Sequence, residues 1–328
     1  MQPQALVHAT TASLEYVSES TMHELALEPQ PSPPTLAWAP FGLTACMTLA
    51  EEQLGGSKWV PREDQRPFVD DVFPSARSVL GRVPRTWIRS LASTDAAAIN
   101  AFLRKYGSGH VQLEPFADPG ALLFAAVTRV QARWAVSGTR STLCVPDGRS
   151  FVAAKLDHAF TLLSTSGIET LVKLECDERC SAYLVPWQPE FRELIRDEVS
   201  LVRTCRKLQA DLRPTRPRWG SVLFPMIEMQ FRPDLRWLRG LSLKRRLLRS
   251  PLVVSKAVQE LGFRMNHIGA SFRDEVVTVC LGTPGDLPPF VIDRPFLLWI
   301  AHERLDGMPL FAAVLSEDAW KDPGDALD

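Results

Sequence analysis

Residues 264–300, "RMNHIGASFRDEVVTVCLGTPGDLPPFVIDRPFLLWI", set the strongest constraint on what this chain can fold into. A strand-like run reaches Gly269. A polar and β-branched stretch follows, then a loop of Gly and Pro, then a very apolar strand. Any fold for this chain has to carry one long extended segment between two strands, with Phe272, Arg273, Asp274 and Glu275 near its start.

The remaining sequence has the material for such a fold. Its 328 residues suffice for one large domain or two ordinary ones. No repeat and no linker divides them, so one domain over 1–328 is expected. An apolar share of 45% beside 23% charge is that of a soluble globular protein. No apolar run reaches the roughly 20 residues of a membrane span. The start "MQPQALVHATTASLEYV" lacks a basic segment followed by an apolar core, which predicts a cytoplasmic protein.

The six cysteines (46, 144, 176, 180, 205 and 280) form no disulfide framework. Only "ECDERC" brings two close together, and structural zinc wants four ligands. Both are expected to pack within two strands joined by a short turn, and neither metal nor cofactor is expected. Between Arg203 and Arg249 thirteen Lys/Arg face three Asp/Glu, a local +10 inside a chain of net −1. "RPDLRWLRGLSLKRRLLRS" concentrates it. Such a patch suits a solvated face, and without an aromatic-interleaved module nucleic acid is not an expected partner.

Apolar spacing predicts a helix over 11–26, a short strand in "TLAWAP", and a buried helix in "FGLTACMTLAEEQL" ended by Gly55 and Gly56. Residues 57–94 are rich in Pro and Arg and follow no clear period. Thr94-Asp95 caps a helix running to about Arg104. "ALLFAAVTRVQARW" is too apolar for a surface element and reads as a central strand. Strands are expected at 151–155, 159–163, 168–175 and 181–187, then a helix over 189–210. "SVLFPMIEMQF" reads as a strand whose Pro225 marks an edge or bulge. A helix near 233–240 and strands at 252–265, 276–281, 289–300 and 309–315 complete an α+β pattern.

Several of these segments, in order, resemble the serpin family. "TLAWAPFGLTACMTLA" resembles the strand and helix carrying its F-S-P-x-S element, and "DAAAINAFLRKYGSGHVQL" its IN-x-W-V helix. "LLFAAVTRVQARW" resembles the long central-sheet strand ending in a family tryptophan, here Trp134. "VLFPMIEMQFRPDLRWLRGL" and "PLVVSKAVQELGFRMNHIG" are similar to further family segments. "VIDRPFLLWIAHERLDGMPLFAAV" carries the most specific likeness. The resemblance implies a large central mixed sheet, further sheets, surrounding helices and an exposed reactive-centre-type loop. It also implies a shortening within 57–94, where the family's third to fifth helices and one sheet edge would sit.

On that resemblance Gly269 opens the loop and Pro295 closes it. Inhibitory serpins insert the cleaved loop into the central sheet, so alternate side chains must fit a packed interior. In the hinge formed by Gly269, Ala270, Ser271, Phe272 and Asp274, the inward positions include Ala270, Phe272 and Asp274. Phe272 overpacks a small slot and Asp274 buries a carboxylate. Where the family keeps polar groups under the sheet, this chain has Ala39, Gly42, Ala126 and Gln259. Counting from Gly269 puts the scissile bond at Thr283-Pro284, a poor substrate because proline lacks an N–H.

These departures predict a non-inhibitory protein that binds a small hydrophobic ligand or a protein partner. A serine or cysteine protease inhibitor and an enzyme built on the same scaffold are the alternatives. No catalytic motif appears. His267, at the loop's entry, and Cys280, within it, are the side chains to test for a chemical role. Nine tryptophans supply material for an aromatic pocket.

Overall fold

The computed structural model describes residues 32–107, 112–114, 120–129, 132–216, 218–246, 250–270 and 287–325. The helix expected at 11–26 and the strand expected at 276–281 lie outside them. Residues from Pro33 onward form one unit.

The first strand, β1 (Leu36–Trp38), leads into α1 (Pro40–Gln53), β2 (Gly56–Val60) and α2 (Phe73–Val79). Next come β3 (Ile88–Ser93), α3 (Ala96–Tyr106), β4 (Ala121–Arg129) and β5 (Ala132–Arg133). Five strands follow: β6 (Thr139–Cys144), β7 (Ser150–Leu156), β8 (Phe160–Thr165), β9 (Ile168–Glu175) and β10 (Cys180–Pro186). Two helices, α4 (Phe191–Leu194) and α5 (Glu198–Ala210), precede β11 (Arg213–Pro214), β12 (Ser221–Pro225), β13 (Ile227–Phe231) and β14 (Ser242–Arg245). The long β15 (Leu252–Met265), β16 (Gly269–Ala270), β17 (Pro289–Val291), β18 (Phe296–His302) and β19 (Pro309–Leu315) end the order.

Among the described residues four sheets result, the smallest a two-stranded pairing of β16 with β5. A seven-stranded sheet runs β1-β19-β18-β10-β9-β8-β11, and a four-stranded sheet runs β17-β12-β7-β6. A six-stranded mixed sheet runs β2-β14-β15-β4-β3, with β13 also paired to β15. The apolar run in β18 and β19 follows from its place. Every residue of β19 and all but the last of β18 are buried, so no polar face is called for. β4 shows why period 2 still matters in a buried strand. Leu122, Phe124 and Ala126 face the main core beside α1, while Leu123, Ala125 and Val127 pack against Ile99 and Leu103 of α3.

Four expectations need correction. The helix foreseen over 189–210 is two pieces, because Asp197 caps α5: its Oδ1 accepts from Ser200 N at 2.7 Å, and Ser200 Oγ accepts from Asp197 N at 2.9 Å. The helix near 233–240 is one tight turn, Arg236–Leu238, followed by Gly240 at φ 86°. The single strand in "SVLFPMIEMQF" is two strands in two sheets: β12 pairs with β7, and after Met226 the chain crosses to pair β13 with β15. The strand at 289–300 is interrupted, with β17 on the four-stranded sheet and β18 on the seven-stranded one.

Residues 57–94 hold more order than their composition announces. Trp59 of β2 is buried, Pro67–Val72 makes a wide helical turn that runs into α2, and β3 lies at the edge of the six-stranded sheet. The "ECDERC" reading agrees with the structure. β9 and β10 are joined by a tight turn at Asp177–Arg179, and Cys176 and Cys180 are buried.

Candidate functional site: a parallel seam and its hinge

Within the six-stranded sheet β4 and β15 run parallel, from Val253 opposite Ala121 to Gly262 opposite Arg129. Their outer neighbours, β3 and β13, are antiparallel to them. Parallel pairing is slightly weaker per residue than antiparallel pairing, so this seam is the natural line along which the sheet could part.

Beneath the seam the chain brings together the four positions singled out from sequence. Gln259, on β15 opposite Ala126, is buried at 2% exposure. Its Nε2 donates to the Ala39 carbonyl at 2.7 Å and to Thr128 Oγ1 at 3.3 Å. That amide therefore bridges the start of α1, β4 and β15. Gly42 makes the close approach of helix and sheet possible: a Cβ there would stand 2.6 Å from Gln259 Nε2 and 3.0 Å from the Ala126 Cβ. The Gln259 Oε1 is buried with no hydrogen-bond partner among the described residues. Thr128 escaped the sequence reading, although its place at the polar end of "LLFAAVTR" was the available signal. Cys46 of α1 also reaches the sheet, its thiol donating to the Ala125 carbonyl at 3.3 Å.

Above the seam lies α3. Asn100 fixes the chain that follows it by a reciprocal pair, Nδ2 to the Leu113 carbonyl at 2.8 Å and Leu113 N to Oδ1 at 2.7 Å. Gly107, at the end of α3, sits where a Cβ would meet Glu260 Oε2 at 2.6 Å. The Glu260 carboxylate is held by Arg232 at 3.1 Å.

At its end β15 reverses direction through Asn266–Gly269. The Asn266 side chain is the reason: its Oδ1 accepts from Ile268 N at 2.8 Å and from Gly269 N at 3.2 Å, the local competition that lets Asn make turns. Asn266 N closes the turn on the Gly269 carbonyl at 2.8 Å. Beyond it β16 pairs antiparallel with β5, Gly269 opposite Arg133 and Ala270 opposite Ala132. Ala270 is fully buried, and the Trp134 indole N–H donates to the Asn266 carbonyl at 2.9 Å. Sequence reading named Gly269, Ala270 and Trp134 and placed Asn266 only as the neighbour of His267 at the loop's entry, although Asn266 bonds both Gly269 and Trp134.

His267 occupies the second position of this turn. It is half-buried, its carbonyl accepts from Gly138 N at 2.7 Å, and its Nδ1 is buried without a partner among the described residues. Ser271, Phe272, Asp274, Cys280, Thr283 and Pro284 lie outside the described residues. Among the described thiols, burial pushes Cys46 up to about 12 and raises Cys176 and Cys205 further, which suits packing rather than nucleophilic chemistry. Six of the nine tryptophans (38, 59, 87, 134, 299 and 320) are core residues.

Solved structures share the fold. A serpin from Schistosoma mansoni superposes with a TM-score of 0.55 at 11% identity, covering 86% of this chain and 95% of the other. The fold is that of the serpins. Mouse protein-Z dependent protease inhibitor superposes with a TM-score of 0.54 at 14% identity, covering 86% and 90% of the two chains. Human thyroxine-binding globulin, solved with its hormone, gives 0.52 at 12% identity over 88% and 93%. No protein-family model matches the chain, and no curated protein matches its sequence. Neighbours of this serpin fold thus include a protease inhibitor and a hormone carrier, and identities this low fix the fold alone.

Proposed function

We propose that this serpin-fold chain is non-inhibitory and acts by binding, its occupant being a protein partner or a small hydrophobic ligand. The register at the hinge carries the reading. Gly269 opposite Arg133 and Ala270 opposite Ala132, continued without a shift, put Asp274 opposite Thr128 and Val276 opposite Ala126. Ala126, Ala132 and Trp134 all belong to the main core, so the even-numbered face of β4 and β5 keeps its phase. Insertion would therefore bury Phe272 and Asp274.

Asp274 would meet Thr128 and Gln259, both uncharged. Burying a carboxylate there costs roughly several kcal/mol without a cationic partner. Phe272 adds about 1–3 kcal/mol of overpacking in an already packed interior. Insertion has to outrun hydrolysis of the acyl-enzyme, so barriers of this size turn a trap into a substrate.

The choice of occupant follows from the cavities. One of about 780 Å³ is lined by Asp71, Arg203, Arg206, Lys207 and Asp306, and one of about 500 Å³ sets Arg232, Asp234, Arg236 and Arg239 around an apolar floor of Leu235, Ala257 and Val258. With most tryptophans committed to the core, the charged lining of the larger cavity and the charged rim of the smaller favour a protein partner over a small apolar molecule. The hormone complex of thyroxine-binding globulin supports the second occupant.

Protease inhibition is the competing reading, and one observation favours it: Ala270 is small, buried and already paired with β5. Incubation with a panel of serine and cysteine proteases separates the two. Nicked chain without an SDS-stable adduct is expected; an adduct would establish the inhibitor.

A further inference from the structure

The chain does not end with β19. Residues 316–328, "SEDAWKDPGDALD", carry five acidic residues and one lysine. Their described part returns to the hinge. Trp320 is the anchor, buried edge-on against Phe151 with ring centroids 5.0 Å apart. Beyond it Asp322 Oδ1 accepts from Gly324 N at 2.9 Å, which turns the tail, and Gly324 takes φ 74°. The turned tail presents the Gly324 carbonyl to Asn266 Nδ2 at 2.9 Å. Arg140, on β6, clamps it from outside, paired with Asp322 and, at 3.5 Å, with Asp325.

Asn266 is fully buried, and its amide has two jobs. Its oxygen builds the hinge turn through Ile268 N and Gly269 N, while its nitrogen is held by the tail. An amide group is planar and rigid, so fixing the nitrogen fixes the direction of the oxygen. The tail therefore sets the geometry of the turn from which the loop departs. Without it the buried Nδ2 would lose its acceptor, and the side chain would turn to find another.

We propose that Lys321–Asp325 is a strap that holds the 266–269 turn closed, and that drawing this acidic tail off Arg140 frees the hinge. The agent suited to do so is a cationic surface on a partner, which competes with Arg140 for Asp322 and Asp325. The strap acts whether or not the loop can enter the sheet, so it stands apart from the choice between binder and inhibitor.

Two point variants of the full chain test it by hydrogen exchange followed by mass spectrometry, read at the amides of 266–269. Gly324→Ala strains a backbone with φ above zero, while its Cβ meets no neighbouring atom within 4 Å, so it displaces the carbonyl without a clash. It is expected to speed exchange in the turn about tenfold, the loss of one hydrogen bond to a buried donor. Arg140→Ala is expected to speed it about threefold, the size of a half-exposed ion-pair loss. Both should leave β18 and β19 unchanged. Wild-type exchange at 266–269 in both variants, or equal acceleration in β18 and β19, would overturn the strap.

Discussion

The indole N–H of Trp134 donates to the carbonyl of Asn266 at 2.9 Å, a buried side-chain bond that, with Trp134 N to the Ile268 carbonyl at 3.2 Å, ties the chain leaving β5 to the turn ending β15. Trp134→Phe keeps most of the ring area against Phe224 but leaves the Asn266 carbonyl unpaired. The expected cost is about 1–2 kcal/mol, seen as a lower midpoint in urea with an unchanged slope. Faster nicking by a nonspecific protease near 266–270 should accompany it.

Gly269 is required by space rather than by backbone angle. A Cβ there would lie 2.7 Å from both the Ala132 carbonyl oxygen and the Arg133 Cα, atoms that cannot swing aside. Gly269→Ala should cost about 1–3 kcal/mol and separate β16 from β5. Exchange of the 269 and 270 amides should rise while β4 stays protected. If exchange there is unaltered, the pairing of the hinge with β5 is wrong.

Glu198 gives a pH-dependent prediction. It opens α5, is 4% exposed, and its Oε1 accepts from Asp234 N at 2.9 Å. Burial raises its pKa above the ordinary carboxylate range, with the hydrogen bonds pulling the other way. A raised folded-state value means the stabilising contribution is complete below the unfolded pKa and is lost as pH rises through the folded one. Glu198→Gln keeps the acceptor and removes the charge. It should raise stability at pH 8 by up to about 1 kcal/mol and leave it unchanged at pH 4, measured by urea denaturation at the two values.

The double variant Phe272→Ala/Asp274→Ala removes the two side chains held responsible for blocking insertion. Small apolar residues at both positions would bring neither charge nor bulk to a face that already holds Leu122, Phe124 and Ala126 of β4. After loop cleavage this variant should gain more thermal stability than cleaved wild type, by roughly 5 °C or more at the usual 2–4 °C per kcal/mol. Equal behaviour of the two cleaved proteins would move the block elsewhere.

Much of the fold could be read because its strongest elements carry unbroken apolar runs. β4, β18 and β19 are buried on both faces, and a sequence this apolar has few other places to go. The break before α5 was harder to see, since Ile195 continues the helical spacing while the cap Asp197 sits only two residues later. The crossing between β12 and β13 was signalled by Pro225, but a proline announces a bulge or an edge as readily as a change of sheet. The hinge turn had its signal in Asn266, three residues before Gly269 and able to bond its own backbone. What no local pattern contained was the tail: Asp322-Pro323-Gly324 reads as a turn, yet its partner Asn266 is 58 residues away. The bridge from Gln259 to Ala39 spans 220 residues and was equally invisible in its geometry, although all four positions around it could be named from the family's pattern.

The central claim is that this scaffold does not take its own loop into the β4–β15 seam. Nicking the wild-type loop with a nonspecific protease and comparing melting temperatures before and after tests it most directly. The account predicts a change below about 5 °C, since no new strand is gained. A rise of more than about 20 °C, several kcal/mol at the same conversion, would contradict it and make Phe272 and Asp274 tolerated guests of the core.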